Sequence, residues 1–501
     1  MHNISRRKFI KSSIVALSAS AVGAVNLNGD EKPNNEIKWD QEFDVLIVGS
    51  GLSANVAGIV AAEGGLKTVL LEKMSRAGGN SIISQLDFAC VGSDIQKKEG
   101  IKDSVELFIK DLNNAGKGFN DVAQSRRIAE NSKRAYEFMK ARGVKYADKL
   151  KHLGGHSVAR SLETIGGGGA CLQTLNAHFE TKGGSIFKRV KADEILKDTE
   201  GRVIGLKVRE EYKFDKSLKD DDKENTSGVV KYYKANKAVI FASGGYSADK
   251  EFKFIQNPRL SLATTPSNPG ATAGALKTML KAKATPVQLS LARYSFGIPT
   301  EDLIFSIIVN GKTSKRFMNE DGDRQTLSNN ILENMQNTGT TLFPVIIFDD
   351  TGFNQSHDIN RLKNFLNLGK MKKFDTIEAL ANDFKLDVNV LKSEIERYNG
   401  FISKKSDDDF KKDFTKKMVS SIQKAPFYAI LAAPGVSYTQ GGVRVNLNFE
   451  VLDLQTNEPI KNLYAVGEAT GGVHGFSRLT SCSVPDCITS AMIAGEFILK
   501  S

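Results

Sequence analysis

Gly49-Ser50-Gly51-Leu52-Ser53-Ala54 follows the apolar run Asp44-Val45-Leu46-Ile47-Val48 and opens an Ala/Gly/Val-rich segment that reaches Gly65. Glycines at a strand-to-helix turn let backbone N–H groups approach a pyrophosphate, and the helix N-terminus favours its negative charge. The strand Thr68-Val69-Leu70-Leu71 then ends in Glu72, at the distance expected of a carboxylate that grips a ribose hydroxyl pair. Strand, turn, helix, strand and acid occur in the order of a βαβ unit, so Gly49, Gly51, Ser53, Ala54 and Glu72 are candidate dinucleotide-binding residues. This stretch leaves FAD and NAD equally open.

The chain around it has 501 residues, 40% of them hydrophobic, enough for a large core. Its net charge of +11 comes mostly from lysines scattered among acids. That pattern argues against nucleic-acid binding and suits solubility or an acidic redox partner. Cys90, Cys171, Cys482 and Cys487 form no CxxC or CxxCH, and the six histidines include no HExxH. Neither a disulfide framework, a metal site nor attached c-type haem is expected.

Ser5-Arg6-Arg7-Lys8-Phe9-Ile10-Lys11 before a short apolar run from Ser12 to Val25 resembles a twin-arginine export signal, with cleavage after Ala24. The run is too short and serine-rich to span a membrane. Residues 1–25 are therefore expected to be a signal, 26–42 a polar linker, and the mature protein periplasmic.

Further on, Lys73 leads into Gly78-Gly79-Asn80-Ser81, a second place where small residues admit a cofactor to the backbone. Three- and four-residue apolar spacing predicts core-forming helix from Asp103 to Val144. Gly166 to Gly169 precede another helix, as a hinge or as an opening for a flat ring. Residues Ala192 to Gly245 read as a β-meander, its last two strands separated by the charged run Lys216 to Ser227, expected to be a solvated hairpin insertion. The last strand ends in Ser243-Gly244-Gly245. A more polar region, 285–424, contains helical stretches such as Ala379 to Tyr398. Short strands then return at Gly442 to Asn446 and Asn462 to Val466, and a helix from Cys487 to Leu499 closes the chain.

These pieces together resemble the fumarate reductase and flavocytochrome c family of FAD-dependent reductases, relatives of succinate dehydrogenase flavoprotein subunits and urocanate reductase. The matching segments are Gly49–Ala54, Glu72-Lys73, Gly78–Ser81, Ala242-Ser-Gly-Gly245, Asn268-Pro-Gly-Ala-Thr272, Lys315-Arg-Phe-Met-Asn-Glu320, Ala433-Pro-Gly-Val436, Gly441-Gly442 and Tyr464-Ala-Val-Gly-Glu-Ala-Thr-Gly-Gly-Val-His-Gly475, in family order.

The resemblance implies an α/β fold: a Rossmann-like, glutathione-reductase-like FAD domain split in sequence into 43–284 and 425–501, with an α+β capping domain, 285–424, inserted. It implies non-covalent FAD, held by Lys73, Gly79, Asn80, Ser81, Gly244, Gly467 and Glu468 besides the residues above. The last helix, with Ser483, points its N-terminus at the flavin, where its dipole steadies the reduced anion.

It also implies that Arg324 donates the proton, that Arg478 holds the substrate carboxylate, and that Glu301 serves the proton relay. Three departures bear on the substrate. The relay's second arginine gives way to Asp302-Leu303-Ile304-Phe305, no histidine lies near Gln288-Leu289-Ser290, and Tyr438 replaces the other substrate histidine. The expected activity is reduction of the C=C bond of an α,β-unsaturated carboxylate, with a monocarboxylate or aromatic acrylate such as urocanate, methacrylate or cinnamate favoured over fumarate. Lacking its own haem motif, the chain would draw electrons from a separate c-type cytochrome. Tyr438 also suits the reverse chemistry, a ketosteroid-dehydrogenase-like desaturation, and the lost residues suit a non-catalytic flavin electron carrier.

Overall fold

The computed structural model describes residues 37–415 and 419–501. The expected export signal and the linker through residue 36 lie outside the described residues.

Within Lys38–Ser501 the strand Gln41–Val48 (β1), the helix Leu52–Glu63 (α1) and the strand Thr68–Glu72 (β2) form the βαβ unit read from the sequence. β1 and β2 pair in parallel, Val45 opposite Thr68 and Val48 opposite Leu71. A strand between parallel neighbours is covered on both faces, which is why its apolar residues run on without alternating. α1 is buried from Leu52 to Ala62, lying between the sheet and the last helix, Ser483–Lys500. A helix apolar on every side can exist only in such a position. A Cβ on Gly495 would sit 2.8 Å from Val60 Cγ1, so small residues set how closely the two helices approach.

Among the described residues the main sheet has eight strands. Glu450–Leu452, Pro459–Ala465, Val229–Phe241, β1, β2 and Ser185–Lys188 lie side by side in that order, and Lys191–Lys197 and Val203–Glu210 complete the meander on Val229–Phe241. The strand from the distant C-terminal segment thus pairs in parallel with the N-terminal portion, Leu463 opposite Val239. One α/β core is assembled from both ends of the sequence.

A second, antiparallel sheet is built from Ile307–Val309, Val345–Phe348, Phe427–Leu431 and Met371–Phe374. Its alternation is strict: Ile308, Ile346, Phe348 and Ile430 enter one apolar cluster, and Ile307, Val345, Ile347 and Ala429 the other. This sheet draws on residues from both sides of position 424.

Several expected elements differ in extent. The helix from Asp103 to Val144 is two, Val105–Gly116 and Val122–Ala141, because Lys117 and Gly118 adopt positive φ between them. Helix over Ala379 to Tyr398 is likewise interrupted: Ile377–Asp383 ends before Lys385 at φ 57°, and Asp387 caps Val388–Lys404. The last helix begins four residues before Cys487, and of the strand expected at 442–446 only Gly442–Val443 is continuous strand, Val445 making an isolated bridge to Val451.

The charged run 216–227 is not simply solvated. Asp221 and Asn225 are buried, with Tyr212 donating to Asp221 and Asn225 Nδ2 donating to it at 2.6 Å, so the insertion is pinned inward. The glycines expected before a helix lie mostly within it, in Gly167–Thr181. A Cβ on Gly168 would lie 1.8 Å from the Ser81 carbonyl oxygen, and its N–H donates to the Ser84 carbonyl at 2.8 Å; they dock this helix on the 81–84 turn.

Candidate active site

At the C-terminal ends of β1 and β2 lies a cavity of about 990 Å³, measured to its open mouth. Gly49 turns the chain there with φ +108°, and a Cβ on it would stand 2.4 Å from the Ala242 carbonyl oxygen. Only glycine fits on both counts. Glu72 is buried at the end of β2, where it accepts from Ser50 Oγ and from the Met74 N–H at 2.8 Å. Burial raises its pKa against those donors.

Gly51, Ser53, Lys73, Gly79, Asn80, Ser81, Gly244 and Glu468 also line the cavity. Ala54 instead enters the core beneath the turn, and Gly467 lies behind the wall, where a Cβ would meet Ser53 Oγ at 2.2 Å. Ser483 begins the last helix away from the lining, and Cys487, one turn on, reaches it.

Lys191, Asp222 and Cys487 line the cavity without belonging to any of the quoted motifs, and Thr272 lines it as well. The Asp222 carboxylate lies 3.7 Å from Lys73 Nζ and 3.8 Å from Lys191 Nζ, and accepts from Thr272 Oγ1 at 2.7 Å. Burial would raise its pKa, but these partners hold it below the usual carboxylate range. Nothing in a run of alternating Lys, Asp and Glu distinguishes Asp222 from its solvated neighbours. Thr272 had a visible signal, the Asn268–Thr272 motif.

Glu468 closes the cavity's inner end. It accepts from the Thr439 N–H at 2.8 Å and from Thr439 Oγ1 at 3.1 Å, and burial pushes its pKa up to about 7. Thr439 ends the strand Gly435–Thr439, which pairs with Ala292–Ser295. Tyr438 precedes it, buried, its ring at 75° to that of His474 with centroids 5.6 Å apart. The Arg478 guanidinium carbon lies 4.9 Å from the Tyr438 ring centre.

The segment carrying Arg478 is held from behind. The fully buried Arg160 bridges Asp103 and Asp111, His156 Nε2 contacts the Thr480 carbonyl at 2.8 Å, and Ser161 and Ser481 share a hydrogen bond of 2.6 Å. Facing it from the second sheet is Arg324, first residue of the helix Arg324–Asn337, whose cap Asp323 accepts from the Gln325 and Thr326 N–H groups. The Nε atoms of Arg324 and Arg478 are both buried without a hydrogen-bond partner. Burial lowers the Arg324 pKa, Glu301 raises it, and Arg361 and Arg478 lower it further. A position at a helix N-terminus acts in the same downward sense.

Glu301 is exposed and acts on Arg324 through its charge, while its neighbour Asp302 is buried and accepts from the His357 N–H at 2.9 Å. The expected residues Arg324, Arg478, Tyr438 and Glu301 thus converge beyond Glu468. Among the described residues no group of His, Cys, Asp and Glu could hold a metal ion, and no helix is long and apolar enough to cross a membrane.

Residues 44–484 match the FAD binding domain family. The chain belongs to that family of flavoproteins. This flavoprotein is 37% identical to the acrylate reductase flavoprotein subunit of Shewanella woodyi over 514 aligned positions, covering 99% of each chain. It is 29% identical to the urocanate reductase of Eggerthella lenta, across 98% of its own length and 80% of that protein's. Its fold superposes on the open conformation of a flavocytochrome c3 fumarate reductase with a TM-score of 0.80 at 27% identity, covering 92% of this chain and 79% of that one.

The flavoprotein is an oxidoreductase with FAD as its cofactor. Its cavity fits that group: the bare Gly49 turn admits a pyrophosphate, the Glu72 carboxylate suits ribose hydroxyls, and the inner end reaches Glu468 beside the arginines. When bound, the FAD supplies two-electron redox chemistry to that inner end.

Proposed function

We propose that this flavoprotein reduces the C=C bond of a short α,β-unsaturated monocarboxylate. The observation that carries this reading is the pair of guanidiniums beyond Glu468, outside the cavity lining, each with a buried Nε lacking a partner. Two cations without carboxylate partners, near enough for the charge of one to act on the other, fit an anionic substrate. The kinship with an acrylate and a urocanate reductase supports the same substrate class.

Arg478 holds the carboxylate and draws charge from the conjugated double bond, which makes the β-carbon electrophilic. That carbon would take the hydride that reduced FAD would supply when bound. Arg324 gives a proton to the α-carbon, so the π bond is replaced by two C–H bonds and the acid gains two electrons. The depressed pKa of Arg324 favours this donation, and Glu301 lies where its charge favours reprotonation. Tyr438 backs Arg478 and occupies the position of a second carboxylate-binding histidine. Its buried, neutral phenol offers no cation to a dicarboxylate, which is why fumarate is disfavoured.

The electrons come from a separate c-type cytochrome in the periplasm. The twin-arginine segment Ser5–Lys11 and the lack of a CxxCH motif support this part of the reading. Reduced methyl viologen is expected to sustain turnover of acrylate or methacrylate by the purified protein, and NADH is not. Turnover of none of a panel of acrylate, methacrylate, urocanate, cinnamate and fumarate would refute the activity. An Arg6→Lys, Arg7→Lys double variant found exported like the wild type would refute the export route.

A further inference from the structure

A third arginine lies beside this pair, close enough for the charges of Arg478 and Arg324 to act on it. Arg293 lies on Ala292–Ser295 with its Cα opposite that of Tyr438 on the antiparallel strand. Directly opposed residues of such a pair project from the same face, so Arg293, Tyr438 and the Arg478 guanidinium stacked on that ring share one side of the ribbon. Arg293 Nε donates to the Arg478 carbonyl at 3.1 Å and Nη2 to Thr480 Oγ1 at 3.4 Å; among the described residues Nη1 has no hydrogen-bond partner. Gln325, next to Arg324, donates to the Ala292 carbonyl at 3.0 Å, which ties the Arg324 helix to the Arg293 strand.

Among the described residues, none of the three arginines forms an ion pair, although the buried Arg160 and Arg316 each pair with two carboxylates. Burial, then the charges of Arg478 and Arg324, pull the Arg293 pKa well below its usual value. Three partly buried, mutually repelling cations are tolerable where an anion joins them.

We propose that Arg293 is a substrate-binding residue that forms, with Arg478, the two-guanidinium clamp for the single carboxylate of the substrate, leaving Arg324 free to supply the proton. Both clamp arginines lie on the Tyr438 side of the ribbon, so their positive charge is gathered in one place. A molecule with one carboxylate satisfies that arrangement, and the specificity of the site follows from it. This inference rests on the reading of the site as an unsaturated-acid reductase.

The test uses FAD-loaded wild-type, Arg293→Met and Arg293→Lys proteins. Propionate, a saturated monocarboxylate, is titrated against the flavin absorbance, and KM and kcat for acrylate are measured with reduced methyl viologen. Arg293→Met is expected to weaken propionate binding and raise KM by about 10- to 100-fold, the loss of a charged hydrogen bond. The rise in KM should exceed any fall in kcat, the FAD should remain bound, and Arg293→Lys should recover part of the loss. A purely structural prop for the Arg478 backbone would instead lower kcat or FAD retention without the selective rise in KM. Unaltered propionate binding and KM in Arg293→Met, with an active wild type, overturn the assignment of Arg293 alone. A wild type that neither binds propionate nor reduces acrylate overturns it together with the functional reading beneath it.

Discussion

The guanidinium carbon of Arg478 stands 4.9 Å from the centre of the Tyr438 ring, over a phenol that burial and the nearby Asp486 and Glu468 keep protonated. An aromatic face in that position orients the cation, a contact of about 0.5–2 kcal/mol. Tyr438→Phe keeps the ring and is expected to change kcat/KM less than tenfold, with the pH profile of the wild type. Tyr438→Ala removes the ring and should lower kcat/KM by roughly 10- to 30-fold. A pH profile altered in Tyr438→Phe would instead make the phenol an acid or base, as the desaturation chemistry requires.

Arg324 is expected to be indispensable to turnover but not to FAD binding, because it lies on the second sheet's helix and outside the cavity lining. Arg324→Ala should lower kcat by on the order of a hundred- to ten-thousand-fold, the usual scale for a lost general acid. Flavin absorbance of the purified variant checks that the cofactor is retained.

Glu468 gives the FAD-depleted protein a pH signature. Its folded-state pKa of about 7 lies above the ordinary 4.5, so the folded chain holds this proton more tightly than the unfolded chain does. The group therefore costs nothing below pH 4.5, and its cost grows as pH rises to about 7. With allowance for its partial exposure to the cavity, that is roughly 1–3 kcal/mol. Thermal unfolding of wild type and Glu468→Gln from pH 5 to 8 should show this loss in the wild type alone.

The second sheet depends on a buried ionic network. Arg316 bonds Glu320 through Nε and Nη2, both at 2.8 Å, and Asp407 through Nη2 at 2.7 Å, and all three side chains are almost wholly buried. Arg316→Met would leave Glu320 with Lys412, 3.2 Å away, as its one cation among the described residues, and Asp407 with only backbone N–H donors. It should destabilise the protein by about 3–5 kcal/mol, read from the urea midpoint.

Much of the cofactor site was legible in the sequence because it is made by contiguous segments under strong local constraint. Gly49 must turn with positive φ against the Ala242 carbonyl, and Glu72 must end the next strand, so residue type and spacing record their geometry. Asp222 obeys no such constraint. Its burial is imposed by Lys73, Lys191 and Thr272, which are distant in sequence, and a charged run conceals it.

The sequence by itself determined the βαβ unit and the FAD-binding family, and it pointed to Arg324 and Arg478, each a few residues beyond a local motif. Only the tertiary structure decided that Arg293 joins them. Its place rests on the antiparallel register that sets it opposite Tyr438, 145 positions along the chain, and on the tie from Gln325 to its strand. Strand pairing between remote segments follows from the packing of two cores, and no spacing within either strand encodes it.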